Sequence, residues 1–403
     1  MSRAESVVLT GAGVPDTDRG RMRHDIQLLT EGEACFVRKK VKTIAASIAE
    51  PPEAAIERLR KRTTARWGRS RWAWLALLIY LLVPSMAQSQ TLTGAGATFP
   101  APLYWKWSDA AKSALGLFVH YDAVGSGAGV DQIVKGSIDF GASDTPLPVD
   151  KLGAANLFQF PTVIGAVVII VNLPRVRDGQ LRLTGEVLAD IYAGRIKKWN
   201  DPQIVKLNPA VTMPNILIDP VHRYEASGTT AVFTSYLSAV NAAWRAGPGT
   251  GERVDWLAGA GAMGSDGVAS AVLNIRGGIG YVEYSFATQN HLAMARLGNL
   301  HGDFIVPETA SFAAAAAAGD WTVPGFAADL INTNNPASWP IVTCTFVLVP
   351  RQPADAKRSA DVLRFFDWAF RNGDALAQQL GYIPLPASVQ DRIRESWGKA
   401  FPQ

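Results

Sequence analysis

"TVIGAVVIIVNL", Thr162–Leu173, is apolar almost from end to end and shows no alternation. A half-covered strand alternates every second residue, so this unbroken run predicts a strand buried on both faces. The neighbouring stretches agree. "GLFVHYDAV" (116–124) reads as a strand, "GVDQIVKGS" (129–137) opens a helix ending at Gly136, and "IDFGASD" (138–144) is a short strand running into a turn. Further on, "TGEVLADIYAG" (184–194) is helical with a glycine stop, "IGYVEYSF" (279–286) a strand, and "SFAAAAAAGDW" (311–321) holds a helix stopped by Gly319. "PIVTCTFVLVP" (340–350) returns to strand. "SADVLRFFDWAFRNG" (359–373) is an amphipathic helix capped by Gly373. Val362, Leu363, Phe366, Ala369 and Phe370 form its apolar face, with Asp361, Arg364, Asp367 and Arg371 turned away. Such alternation predicts an α/β class with largely parallel sheets, whose ligands bind beyond the carboxyl ends of the strands.

The chain carries 39 Lys+Arg and 35 Asp+Glu, a formal net charge of +4. Residues 1–87 hold 15 and 9 of these, leaving 24 basic and 26 acidic residues in the body. The body is therefore near neutral, which argues against a nucleic-acid partner. The charge sits in a leader. "RLRKRTTARWGRSR" (58–71) precedes the apolar "WAWLALLIYLLV" (72–83) and then "PSMAQSQ", the order of a secretory signal. At about a dozen residues the apolar run is short of the roughly 20 needed to span a bilayer. Cleavage is expected after Ala87; the alternative is an uncleaved anchor. Residues 1–57 exceed a normal signal and suggest a start placed too far upstream. Cys35 and Cys344 are the only cysteines, so the exported body has a single thiol and no internal disulfide.

Three strand-to-helix corners stand out: "GAGATFPAP" with Thr98 and Phe99, "VGSGAGVDQIV" with Ser126 at a cap position, and "HRYEASGTTAVF" (222–233) with Ser227, Gly228 and Thr229. Each offers backbone N–H groups and a hydroxyl at the positive end of a helix. Taken singly, each is also an ordinary helix cap. One helix end contributes only about 0.3–1 kcal/mol to holding a charge. Several charge-assisted hydrogen bonds of roughly 1.5–3 kcal/mol each reach micromolar binding. Arg223 could grip an anion with its fork, and Glu225 could orient that fork. Asp144, in "GASDTPLP", reads as a turn residue when taken alone. Facing an anion, its carboxylate repels unless the anion brings a proton, as phosphate does near neutral pH and sulfate does not.

An enzyme is the main rival class. His120, His222, His291 and His301 show no metal-ligand spacing, Ser227 has no evident base, and "DFG" (139–141) lacks the other kinase motifs. No cofactor is expected. The 12 Trp are scattered, which favours packing over one exposed binding stripe.

"LTGAGATFPAPLYWKW", "GSGAGVDQI", "DFGASDTPL", "LFQFPTVIGAVV", "GRIKKWNDPQIVKLNP", "ASGTTAVFTSYL", "GYVEYSFA" and "VLRFFDWAF" resemble, in order from Thr91 onward, the periplasmic phosphate-binding proteins of phosphate ABC transporters. The resemblance implies a two-lobed periplasmic binding protein of type II-like α/β fold, each lobe a mixed sheet flanked by helices, with two crossover strands as hinge. Lobe I would take 88–166 with 340–403 and lobe II 167–339. It further implies capture of inorganic phosphate in the periplasm and delivery to an inner-membrane permease with its ATPase subunits, by a monomer that catalyses nothing. Carried over by position, the phosphate ligands are Thr98, Phe99 (through its N–H), Ser126, Asp144, Arg223, Ser227, Gly228 and Thr229, with Glu225 in support. Two positions depart from the family pattern: Glu225 stands where Asp is usual, and Gly127 where a second Ser is common.

Overall fold

The computed structural model describes residues 90–353 and 355–401. The basic stretch, the apolar run and the cleavage point expected after Ala87 lie outside the described residues.

The chain opens with β1 (Gln90–Gly96), α1 (Ala101–Leu115), β2 (Leu117–Asp122), α2 (Ser126–Val134) and β3 (Phe140–Ser143). A short α3 (Val149–Ala154) leads into β4 (Leu157–Val171), which takes the apolar run as far as Val171 and is buried at every residue but Phe158. Then come β5 (Arg182–Leu183), α4 (Gly185–Tyr192), α5 (Pro202–Leu207), β6 (Asp219–Arg223), α6 (Gly228–Val240) and α7 (Ala242–Ala246). They are followed by β7 (Ala260–Ala262), α8 (Gly264–Asn274), β8 (Gly278–Glu283) and α9 (Tyr284–Gln289). The small strands β9 (Ala293–Met294), β10 (Arg296–Gly298) and β11 (Phe304–Ile305) precede α10 (Thr309–Ala318). The chain closes with β12 (Val342–Pro350), α11 (Ala356–Asn372), α12 (Asp374–Gln379) and α13 (Ala387–Ala400).

A nine-stranded sheet runs in the order β2-β1-β3-β12-β4-β8-β6-β7, with β9 added beside β4. Its flanks are parallel, as the alternating pattern predicts, but β12 and β4 are antiparallel to their neighbours. The sheet is therefore mixed, not largely parallel. β4 is the shared member: Leu157–Ala166 pair with β12 and Val167–Val171 with β8. The β12 ladder slips between Thr345 and Phe346, opposite Pro161. Proline has no N–H to give a ladder, so a central strand tolerates it only at such a bulge.

Aromatic clusters fill the interior, and two of them lie under the strands that carry the corners. Tyr104, Tyr121, Phe140 and Phe366 pack between the first strands and α11, where Tyr104 meets Tyr121 at 5.0 Å and Phe140 meets Phe366 at 5.3 Å. Tyr192, Phe233 and Tyr281 pack beside β6 and β8, with Phe233 stacked on Tyr281 at 4.3 Å. Fully burying one such ring contributes about 1.5–3 kcal/mol.

Two local readings are corrected. "YSF" in "IGYVEYSF" is not strand: the Glu283 side chain accepts the Ser285 N–H and so starts α9. Asp361 is buried in α11 instead of facing outward, because Arg364 one turn on bonds its carboxylate at 2.9 Å while reaching the Leu115 carbonyl at the end of α1.

Candidate functional site

The strand ends bring the three corners together. β1 delivers Thr98 and Phe99, β3 delivers Asp144, and β6 ends on Arg223. Close backbone approach makes this possible. A Cβ on Gly129 would lie 2.4 Å from the Gly96 Cα, so only glycine lets the start of α2 sit against the end of β1. Ser126 is the first residue of α2, and Gly125, at φ 95°, takes the cap position expected for it. Ser227 caps α6, accepting the Thr230 N–H at 3.3 Å. A Cβ on Gly228 would meet Ser126 Oγ at 2.3 Å and the Asp144 N at 2.9 Å.

The anticipated ligand side chains are nearly sealed from solvent, Thr98 at 4 % exposure being the most open of them, while the supporting Glu225 is partly exposed. The Ser126 hydroxyl accepts the Gly228 N–H at 3.1 Å and the Asp144 N–H at 3.3 Å, tying the starts of α2 and α6 to the end of β3 at one atom. Arg223 donates from Nη1 to the Thr98 hydroxyl at 3.1 Å. Its Nε donates to Glu225 Oε1 at 2.5 Å, and that oxygen also accepts the Gly264 N–H at 3.0 Å. Glu225 thus reaches back over two residues to hold the guanidinium in place. The Phe99 ring is buried, its carbonyl accepts the Tyr382 hydroxyl at 2.6 Å, and its N–H donates to no acceptor among the described residues.

Four buried polar atoms in this small space have no hydrogen-bond partner among the described residues: Asp144 Oδ2, Arg223 Nη2, Thr229 Oγ1 and Glu225 Oε2. Arg223 Nη2 lies against Glu225 Oε1 as an ion pair but without hydrogen-bond alignment. The Thr229 hydroxyl stands near the Asp144 carboxyl without completing a bond to it. Each buried orphan costs about 1–3 kcal/mol, so a cluster of them marks a site built for something else than stability. Arg223 and Thr229 offer donors, while Asp144 requires a donor when ionised. Burial pushes Asp144 up to about 7, with Glu252 adding to the rise and Thr345 and Arg223 opposing it.

Ser265, Thr345 and Tyr281 belong to the same constellation but were not anticipated. Ser265, in the first turn of α8, lies 3.1 Å from the Thr98 hydroxyl. Thr345 donates to Asp144 Oδ1 at 2.8 Å, and Thr343, on the same face of β12, donates to the Asp144 carbonyl at 2.8 Å. Tyr281 accepts the Arg223 N–H at 3.1 Å. The signals were present: "AMGSDGV" is another glycine-rich corner before a helix, and "VTCT" places two hydroxyls two residues apart on one strand face. His222 is no part of the site. It stacks on Trp256 at 4.5 Å, and burial lowers its pKa.

Residues 83–372 match the model of the PBP superfamily domain. The phosphate-binding protein PstS of Pasteurella multocida is 45 % identical over 80 % of this chain and 95 % of its own length. The chain belongs to the PstS family. The PstS of Haemophilus influenzae is 44 % identical over 77 % of this chain and 93 % of its own. Among solved structures, a high-affinity periplasmic phosphate-binding protein bound with phosphate superposes with a TM-score of 0.60 at 23 % identity, covering 76 % of this chain and 94 % of that one. A phosphate-binding protein from Stenotrophomonas maltophilia superposes at 0.58 and 22 %, covering 76 % and 93 %. At these identities the two structures speak for the fold alone. That fold is the α/β architecture of periplasmic binding proteins.

Proposed function

We propose that the chain binds inorganic phosphate between two lobes and hands it to an inner-membrane phosphate ABC permease. The observation that carries this reading is the set of orphaned atoms, in which an arginine and a hydroxyl lie within electrostatic reach of a buried acid. With Asp144 ionised, an oxyanion that also carries a proton satisfies both kinds of group. Thr98, Phe99 through its N–H, Ser126, Asp144, Arg223, Ser227, Gly228 and Thr229 are the proposed phosphate ligands. Glu225 orients Arg223. PstS relatives bear the name phosphate-binding protein, which supports the reading.

Lobe I comprises 88–166 with 340–403 and lobe II 167–339. β4 changes partner between Ala166 and Val167, and the chain returns beside that point: Val167 donates to the Ile341 carbonyl at 2.9 Å and Trp339 Nε1 to the Val167 carbonyl at 2.8 Å. The site takes Thr98 to Asp144 from one lobe and Arg223 to Thr229 from the other. Hinge motion at these two crossings would open and close it. The working location is the periplasm, reached through the leader with cleavage after Ala87, and the protein acts as a monomer. It catalyses nothing: Ser227 caps a helix, and binding needs only the lobes.

Calorimetric titration of the purified protein with phosphate and sulfate tests this. Tight phosphate binding without a sulfate response is expected. Equal binding of both anions would overturn the role given to Asp144, and binding of neither would overturn the function.

A further inference from the structure

Glu283 ends β8 opposite Val167, at the point where β4 changes partner, and it is 0 % exposed. Its Oε2 accepts the Ser285 N–H at 2.8 Å, touches Ser285 Oγ, and lies 3.2 Å from the Tyr382 hydroxyl. Ser285 Oγ is 3.1 Å from the same hydroxyl, and Tyr382 donates to the Phe99 carbonyl at 2.6 Å. Tyr382 lies in the segment between α12 and α13, so the cluster joins β8 to the corner that holds Thr98 and Phe99. Gly165 makes room for it: a Cβ there would lie 2.6 Å from the Phe99 ring and 3.2 Å from the Tyr382 ring.

Counting protons decides how the cluster works. The Phe99 carbonyl can only accept, and Ser285 and Tyr382 bring one hydroxyl proton each. If Glu283 is ionised, Tyr382 must choose between the carboxylate and the Phe99 carbonyl, and the Ser285–Tyr382 contact stays empty. If Glu283 is protonated, three contacts fill in one direction, Glu283 to Ser285, Ser285 to Tyr382 and Tyr382 to the Phe99 carbonyl, and only the 3.2 Å contact between Tyr382 and Glu283 is left without a proton. We propose that Glu283, carrying its proton, heads this one-way donor chain, and that the chain positions the Thr98–Phe99 corner of the site.

The surroundings favour the proton. Burial pushes Glu283 up to about 8, opposed by the Ser285 and Phe286 N–H groups of its own turn and by the Ser285 and Tyr382 hydroxyls. The other titratable groups coupled to the cluster are Tyr284 on α9 and Asp144, whose field reaches Tyr382. No basic side chain pairs with Glu283 among the described residues. Above about pH 8 the carboxylate draws the Tyr382 proton toward itself, the Phe99 carbonyl loses its donor, and the corner loosens. Glu283, Ser285 and Tyr382 are thus positioning residues, and their effect on phosphate rests on the function proposed above.

The test combines carbon-13 NMR titration of the side-chain carboxyls with phosphate calorimetry between pH 7 and 9. The signal lost in Glu283→Gln, and shifted in Tyr382→Phe, is the Glu283 carboxyl; it is expected to remain protonated at pH 7. Tyr382→Phe is expected to bind phosphate about tenfold more weakly at pH 7, the size of one buried donor lost. Its affinity should then fall less between pH 7 and 9 than that of the parent. A Glu283 signal titrating in the ordinary glutamate range overturns the donor chain. So does a Tyr382→Phe protein with the parent's affinity and pH profile. If the parent takes up no phosphate, the functional reading fails, while the NMR titration still decides the donor chain.

Discussion

Asp139 and Asp144 stand at the two ends of β3 and have opposite fates. Burial tends to raise Asp139, but the Arg358 fork and the N–H and hydroxyl of Thr93 more than offset it and hold the carboxyl below its usual range. Asp144 has one hydroxyl on Oδ1, nothing on Oδ2 and no guanidinium bonded to it, so burial prevails and its pKa rises to about 7. The same residue type on the same strand is saturated at one end and starved at the other. A saturated carboxylate ties α11 to the sheet; a starved one is available to a ligand.

The strongest way to break this contrast is Asp144→Asn. It should reduce the preference for phosphate over sulfate by roughly 10- to 100-fold, the scale of one charged hydrogen bond. Calorimetry with both anions reads the ratio, and an unchanged ratio would place the discrimination elsewhere. Asp139→Asn should act on stability alone. A loss of about 1–2 kcal/mol is expected in urea unfolding, kept small because Arg358 is 37 % exposed and screened by solvent. Phosphate affinity should not move; if it does, the two ends of β3 are not independent.

The pH dependences should have opposite signs. Asp144 has a folded pKa above its unfolded value near 3.8, so its contribution to stability is complete below about pH 4 and is lost as pH rises through about 7. Asp139 is depressed, so its contribution is complete above about pH 4 and is lost as pH falls through its lower folded value. Melting temperatures of the phosphate-free parent and the two Asn variants, taken from pH 3 to 8, give both slopes. A parent-minus-variant difference for Asp144→Asn that stays flat between pH 4 and 7 would refute the assignment. The smallest effect is expected from Thr345→Val. It removes the one bond on Oδ1 and should raise the Asp144 pKa further, for a stability change within about 1 kcal/mol. NMR titration of Asp144 in that variant reports the direction.

The parts that could be read along the chain are those whose chemistry is local. The β4 run, the glycine stops and the Ser227–Gly228–Thr229 cap all depend on neighbours within a few positions, and the structure places them as read. Thr345 escaped because its partner Asp144 is 201 residues away, and only the pairing of β12 with β3 brings them together. Ser265 meets Thr98 across 167 residues for the same reason. Asp361 looked outward by periodicity, since nothing in its own helix reveals the end of α1 lying against it. Glu283 belongs to both groups. Its apolar surroundings were legible as strand, whereas its connection to Tyr382 depends on a segment 99 residues further on.

The dual membership of β4 has a consequence for dividing the molecule. Its first part completes one half of the sheet and its last five residues, Val167–Val171, complete the other through β8. A cut after Ala166 would leave each piece with an exposed strand edge and a row of unpaired N–H and C=O groups, the usual template for aggregation. The two proposed lobes are therefore not exchangeable cassettes. Any chimera that swaps one lobe for a relative's must carry β4 intact and match its ladders on both sides, so the strand, and not the visible boundary, is the unit of exchange.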